Sequence, residues 1–326
     1  MSFTNSKIDK VYVVNLDKDK ERLASFDRQM KKQNINYTRF PAVLGSKVNT
    51  SEYLTEFCNK HCTDGMKGCA LSHHMIWQEA YEKKYNYILV FEDDALLNDN
   101  FDTKLKEVWS QIPDDFDIVY PGCRLRCDNS SVLANTVNKI TNSDIEKIDE
   151  NIHSFGGDLG THCYIISRKC IEKIHNEIIA THVDMQLQIW INTMDLSAYF
   201  ISPVIVTIDD EQFESNIAEQ FPPLITSLFN KVYLSQSITL GWIINENGLK
   251  IFGFNVNMLV FLLFTLLCFV PIHLFKWFFG WLFIEFLVSQ DGKNALKYLF
   301  FMIIPIVTRL RFAYETMPVK KIIKLL

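Results

Sequence analysis

Residues 87–97 read YILVFEDDALL: five apolar residues, Tyr87 to Phe91, run without interruption into the carboxylates Glu92, Asp93 and Asp94. A short continuous apolar run is the pattern of a strand buried on both faces. In an open α/β sheet, ligands bind beyond the carboxyl ends of the strands, and the three acids stand at such an end. Adjacent carboxylates repel one another unless something cationic joins them. A hard divalent ion with oxygen ligands, Mg2+ or Mn2+ bridging a diphosphate, is the simplest partner. Alternation along extended chain sends Glu92 and Asp94 to the same side. A solvated acidic turn capping the next helix is the bland reading of the same residues.

Outward from this strand, the first 210 residues alternate strand and helix. Val11–Leu16 (VYVVNL) is a second apolar run, and Asp17–Gln33 carries Leu23, Phe26 and Met30 at helical spacing. Tyr37–Val43, Asp117–Tyr120, Cys163–Ile166 and Tyr199–Val206 read as further strands, Leu71–Tyr85 and Arg168–Ile179 as helices. Such alternation predicts an α/β domain with a largely parallel sheet. Asp128–Glu150 is polar and weakly patterned, and reads as a mobile loop. Gly156, Gly157 and Gly160 surround Asp158 in a turn that either lets backbone approach a ligand closely or is simply tight.

Charge is distributed unevenly. Residues 1–250 carry 25 Lys/Arg against 35 Asp/Glu, residues 251–290 one of each, and residues 291–326 seven basic groups against two acidic. An acidic body argues against nucleic acid as a partner, because phosphate binding needs a basic face. No charge interrupts the chain between Lys250 and Lys276. Phe254–Phe275 as one helix would extend roughly 33 Å, against a hydrocarbon core of about 30 Å. Trp277–Val288 and Leu296–Thr308 are shorter apolar stretches, suited to re-entrant or interfacial positions. The expectation is a body over 1–250 with its core at 8–210, and a hydrophobic, membrane-associated helical tail over 251–326 whose basic end meets an anionic cytoplasmic leaflet. The eight cysteines do not read as a disulfide framework, and the spacing Cys58–Cys62 and Cys123–Cys127 is wider than zinc sites favour. The first residues, MSFTNSKIDKVYVVNL, contain no apolar stretch of signal-peptide length. Free thiols in a reducing, cytosol-facing body are therefore expected.

Four segments resemble glycosyltransferase family 25, the family of bacterial lipopolysaccharide galactosyltransferases and of the collagen galactosyltransferase catalytic domain. They are VYVVNLDKDKERL, with Asn15, Leu16 and Arg22; GMKGCALSHHMIW, with Gly68-Cys69, Ser72-His73 and Trp77; YILVFEDDALL; and GTHCYIISRKCIEKI followed by His182-Val183-Asp184. Order and spacing agree over about residues 8–210, and the hydrophobic tail lies outside. The resemblance implies a GT-A-like (Rossmann-like) nucleotide-sugar-binding fold, a UDP-sugar donor and a divalent metal, Mn2+ or Mg2+. Either Glu92 and Asp94 or Asp93 and Asp94 would hold the ion, with Asp94 as direct ligand.

The remaining site residues carry two readings each. Asn15 ends the first strand, where its amide can meet a nucleobase or ribose, or merely form a turn. Arg22 can reach a phosphate or be a solvated helix charge. Ser72 is expected to cap the helix entering His73, which then lines the donor site beside Glu92 and Asp93; His74 is left structural. Transfer with inversion needs a base for the acceptor hydroxyl. Asp184, opening the helix MQLQIWI, is the first candidate, with a helix N-cap as its competing role, and Asp158 is the reserve. The functional expectation is a hexosyltransferase, galactose foremost, acting on a lipopolysaccharide or lipooligosaccharide acceptor at the cytoplasmic face of the inner (plasma) membrane. A non-catalytic nucleotide-sugar-binding protein at the membrane is the alternative.

Overall fold

Val11 and Val13 pack into one apolar layer and Tyr12 and Val14 into another, so the first strand is buried on both faces. The computed structural model describes residues 2–127, 132–140, 144–209, 222–233, 239–246 and 248–315. The chain divides into two compact units, Met1–Ile217 with Leu234–Ile238, and Ala218–Tyr233 with Thr239–Leu326.

In the first unit the strands are β1 (Lys10–Asn15), β2 (Thr38–Pro41), β3 (Tyr87–Glu92), β4 (Ala95–Leu97), β5 (Ile118–Tyr120), β6 (Glu146–Lys147), β7 (Ile152–Ser154), β8 (Cys163–Ser167), β9 (Ala198–Ile201) and β10 (Val206–Ile208). Its helices are α1 (Phe3–Lys7), α2 (Lys20–Lys32), α3 (Glu56–His61), α4 (Asp64–Lys83), α5 (Phe101–Trp109), α6 (Val132–Ile140), α7 (Arg168–Ile174) and α8 (Val183–Thr193). One sheet runs in the order β2-β1-β3-β8-β5-β9-β7-β6. It is mixed, which corrects the largely parallel sheet expected. β1 pairs parallel with β2 and β3, and β5 with β9, but β8 lies antiparallel between β3 and β5. Apolar runs reveal burial on both faces but not direction, so the inserted antiparallel strand leaves no trace in the pattern. Helices α4, α7 and α8 cover one face through Trp77, Ile171 and Leu187, and α2 and α5 the other through Phe26 and Leu105.

Other differences have local causes. The expected strand 199–206 is two strands, β9 and β10, separated by a cis Ser202–Pro203 bond. The expected loop 128–150 contains α6 and β6, and parts of it lie outside the described residues. Helix α4 starts at Asp64, not near residue 71, because Thr63 Oγ1 accepts from Met66 N and caps it. Cys58 pairs with Cys62 and Cys123 with Cys127 as disulfides, with Cα separations of 4.6 and 6.1 Å. This corrects the expectation of free thiols: a separation of four residues brings two cysteines together by purely local geometry.

The second unit holds α9 (Pro223–Phe229), α10 (Leu240–Glu246), β11 (Gly248–Ile251), β12 (Phe254–Asn257), α11 (Met258–Leu267), α12 (Phe275–Ser289), α13 (Gly292–Phe301) and α14 (Ile303–Glu315). Phe254–Phe275 is therefore not one helix. Phe252 and Gly253, both at positive φ, turn β11 back on β12, and Asn257 caps α11 by accepting from Val260 N. Among the described residues, the stretch long and apolar enough to cross a membrane, by length and composition alone, is instead Ile272–Ser289. The unit begins ahead of residue 250 because α9 and α10 belong to it: Leu224 N and Ile225 N donate to Glu285 on α12. Their ordinary composition hides that membership from hydropathy.

Gly68 tests how tightly the sheet and α4 are joined. A Cβ there would stand 2.4 Å from the Val43 carbonyl oxygen, backbone that has no freedom to swing away. Gly68→Ala is expected to cost about 1–3 kcal/mol as an overpacking change. A thermal melt showing an unchanged Tm would mean that this contact is looser than described.

Candidate active site

The cavity beyond the carboxyl ends of β1 and β3, about 240 Å³, is lined by Asn15, Arg22, Ser72, His73 and all three acids. Four elements build it. Asn15 ends β1, Arg22 lies in the first turns of α2, Ser72 and His73 project from α4, and Glu92 ends β3 with Asp93 and Asp94 in the following turn. The strand stops at Glu92, so alternation stops there too. Asp93 and Asp94 both turn to Arg22, at 3.0 and 2.7 Å, while Glu92 faces Thr161 and His73. The cation that the triplet demands is thus supplied in part by the chain itself.

Asn15 Nδ2 donates to Asp93 Oδ2 at 2.6 Å and to the Asp19 carbonyl, and its Oδ1 accepts from Arg39 Nε. Its amide is committed within the site, holding Asp93 in place. Ser72 is not a cap, as was expected of it. It lies inside α4, where Oγ donates to the Gly68 carbonyl at 2.6 Å and accepts from Val43 N at 2.8 Å. That bond ties the loop after β2 to the helix that carries His73. His74 is structural, stacked on Tyr53 at 4.4 Å, and burial pushes its imidazole down to about 4.

His73 is fully buried, and its orientation follows from a chain of hydrogen bonds. Trp77 Nε1 donates to the Tyr164 hydroxyl at 3.0 Å, and that hydroxyl lies 2.8 Å from His73 Nδ1. A hydroxyl can meet either tautomer of the ring, so this bond fixes the orientation of the imidazole and not the place of its proton. Nε2 has no hydrogen-bond partner and lies 3.5 Å from Glu92 Oε1. Thr161 Oγ1 donates to the same oxygen at 2.5 Å. Burial opposes ionisation of Glu92, but the adjacent His73 imidazole and the bond from Thr161 outweigh it and hold the carboxyl below its ordinary range. Burial moves the other two acids upward. Asp93 reaches about 6 against the pull of Arg22 and Asn15, and Asp94 about 7, with the charge of Glu92 adding to burial.

The two candidate bases stand differently. Asp184 is in the first turn of α8, behind His182 at the N-cap, and accepts from Met185 N at 2.6 Å. Burial, with the charges of Glu92 and Asp158, pushes it up to about 6; neither Asp184 nor Asp158 is among the residues that line the cavity. Asp158 is fully buried and accepts from the backbone N–H groups of Arg124, Leu125 and Arg126. It thereby gathers the loop that the Cys123–Cys127 disulfide closes.

Several contributors escape a reading of sequence. Thr161, Tyr164 and Arg39 act through pairings between distant segments. Arg126, which is 1% exposed, joins Gly156 O, Asn138 and Gln188. Cys69, His73 and Glu92 also bring one ligand atom each to within 4.8 Å of one another. Cys69 and His73 lie four apart on α4, a helical spacing that offers the signal that was passed over.

The profile of glycosyltransferase family 25 (LPS biosynthesis protein) matches residues 8–187. The chain belongs to glycosyltransferase family 25. Every site residue named above lies within that segment, and the second unit lies outside it. The family match makes the chain a glycosyltransferase. It is 26% identical over 220 residues to the lipooligosaccharide biosynthesis protein lic2B of Haemophilus influenzae, covering 63% of this chain and 78% of that protein. It is 28% identical over 128 residues to human procollagen galactosyltransferase 2, covering 35% of this chain but only 20% of that protein. A solved Drosophila β-1,4-galactosyltransferase 7 mutant, in complex with manganese, UDP-Gal and xylobiose, aligns with a TM-score of 0.33 and 13% identity over 64% of this chain and 76% of that one. At that score the likeness carries no argument about the site.

The raised carboxyls make stability depend on pH. Asp93 and Asp94 keep protons in the folded chain where the unfolded chain, with Asp near 3.9, has lost them. Stability is therefore full below about pH 4 and is lost as pH rises toward about 7. Glu92 contributes in the opposite sense, below that window. Without divalent metal, Asp94→Asn should melt with wild type near pH 4 and above it at about pH 7.5. Parallel melting curves across that range would refute the assignment.

Proposed function

We propose that the chain transfers a hexose, galactose foremost, from a UDP-sugar to a lipopolysaccharide or lipooligosaccharide acceptor. The observation that carries this is the single cavity in which Asn15, Arg22, His73 and three carboxylates converge at the strand ends of a family 25 chain. A GT-A-like reading is supported by that placement and by the mixed sheet with β8 antiparallel beside β3. The related lic2B protein and procollagen galactosyltransferase 2 support acceptor and sugar by analogy.

The site suits a divalent ion. Asp94 Oδ1 is buried with no hydrogen-bond partner, and burial raises both Asp93 and Asp94 against the pull of Arg22, so a further cation would be welcome there. Asp94 and Glu92 would hold Mn2+ or Mg2+, which supplies positive charge against the diphosphate. Arg22 stands on the same two aspartates and stabilises the departing phosphate oxygens. Thr161 and His73 fix Glu92, and Asn15 fixes Asp93, so the acids need no rearrangement when donor enters. Asp184 takes the proton of the acceptor hydroxyl as its oxygen attacks the anomeric carbon and the diphosphate leaves. A carboxyl raised to about 6 is suited to that task near neutral pH. The three backbone bonds to Asp158 favour a supporting role for it.

One observation favours a rival reading, metal-independent nucleotide-sugar binding: Arg22 already gives Asp93 and Asp94 a cation. A thermal-shift screen of UDP-sugars with Mn2+ and with chelator separates the two. Enzyme activity is expected to require the ion and to vanish in Asp94→Asn; full turnover in excess chelator would sink the metal assignment. Asp184→Asn should lower turnover about 10²–10⁴-fold with donor affinity unchanged. A small fall in Tm with normal turnover would make Asp184 a structural residue of α8.

We place the catalytic unit on the cytoplasmic side of the inner (plasma) membrane, held there by the second unit. The apolar stretch Ile272–Ser289 and the basic end of the sequence support membrane association. The two disulfides bear the other way, since disulfides are rare in reducing compartments. Thiol titration of the denatured native protein decides the compartment. Eight reactive cysteines mean a reducing one; four, the number left unpaired here, mean that the body faces an oxidising space.

A further inference from the structure

The second unit reverses the usual partition of polar and apolar groups. Glu285 is fully buried, Lys297 is 3% exposed and Asn257 1%. Glu285 accepts from Leu224 N, Ile225 N and Trp281 Nε1, and Lys297 Nζ donates to the Asn255 carbonyl. The outside is apolar instead. Trp277 is 70% exposed, Phe269 76%, Leu296 66% and Phe283 59%. On α12 the stripe Phe275, Phe278, Leu282 and Glu285 is buried, with Trp281 half-buried beside it. A soluble protein leaves apolar patches of at most a few hundred Å², and here exposed apolar residues cover four successive helices, α11 to α14. Charges held inside and apolar side chains outside are what a lipid environment selects.

The same contacts limit how deep the unit goes. Helices α11, α12, α13 and α14 have 10, 15, 10 and 13 residues, so they extend about 15–23 Å against a hydrocarbon core of about 30 Å. The 18 residues of Ile272–Ser289 reach about 27 Å, the short end of spanning length. Glu285 lies near the end of that stretch and is tied to the backbone of α9. Among the described residues β11 and β12 pair only with each other, and open sheet edges do not occur in hydrocarbon exposed to lipid. β12 runs directly into α11 through the Asn257 cap, which keeps the start of α11 near the polar surface. Lys276, Lys293, Arg309 and Arg311 lie along the same helices, opposite only Asp291, Glu285 and Glu315, and suit anionic headgroups.

We infer that the second unit embeds in one leaflet of an anionic membrane and does not cross it. The inference rests on the membrane association proposed above, and the two fail separately. The full chain should float with vesicles containing phosphatidylserine. Failure to float, or a soluble dimer that hides the apolar face from added vesicles, would sink membrane association itself. Placement is read by protease treatment of sealed vesicles from expressing cells, with one epitope at the N-terminus and another inserted in the turn at 290–292. Cleavage of both from the same side is expected. Protection of the inner epitope while the first is cleaved would show that α12 crosses, and would overturn the inference. Trp277→Glu with Phe283→Glu, both on the outer face, should cut the vesicle-bound fraction about tenfold or more. Donor binding in detergent should survive, which shows that the variant is folded; undiminished flotation would mean that this face does not touch lipid.

Discussion

Three carboxylates at the end of a buried strand are the constraint around which the first unit is arranged. β3 delivers Glu92, Asp93 and Asp94 to one place because the sheet leaves no room for them anywhere else. Each then needs a partner from a different part of the chain. Arg22 of α2 answers Asp93 and Asp94, Asn15 of β1 answers Asp93, and Thr161 from the approach to β8 answers Glu92. Removing Arg22 would leave Asp93 and Asp94 buried without a compensating charge, which is costly. The acids therefore act as a fastener between β1, α2, β3 and β8, and the site and the fold are stabilised by the same contacts.

The second layer of support runs through α4. Gly45 and Gly68 let the loop after β2 meet this helix at backbone contact, and Ser72 locks the contact with a bond to Val43 N. His73 is thereby set at fixed depth, with its ring turned by Tyr164 and Trp77 toward Glu92. A site held in this way has its charges placed before a donor arrives. In a poorly hydrated cavity such preorganisation is worth more than flexible charges would be.

What could be read from sequence followed period and order. β1, α2, β3, β5 and β8 stand close to where apolar spacing put them, α7 starts where expected but ends at Ile174 and not Ile179, and the residues of the acidic turn, Arg22 and His73 do share a cavity. Strand direction was not legible, since β8 looks the same run either way. Ser72 was misplaced because a serine before a histidine resembles a cap, whereas Thr63 nine residues earlier holds that role. Partners such as Thr161, Tyr164 and Arg39 carry no local signature, because their meaning lies in residues 24 to 91 positions away. The disulfides at 58–62 and 123–127 were discounted on compartment and chain length, although pairing at four residues needs only local geometry.

Hydropathy erred in an instructive way at the other end. It located an apolar region correctly but drew the helix over Phe254–Phe275, where a positive-φ turn and an asparagine cap make a hairpin and a short helix instead. It also missed α9 and α10; α9 contributes through polar backbone, with Leu224 N and Ile225 N donating to Glu285. A carboxylate within an apolar helix is a strong signal that something else must come to meet it, since an unpartnered charge could not remain buried. Glu285 in the sequence WLFIEFLV thus marks where another segment has to dock, as Glu92 to Asp94 in FEDD mark it in the first unit. Both units hold acids that the apolar pattern does not tolerate, and in the second the segment that answers Glu285 carries the unit's start ahead of residue 250.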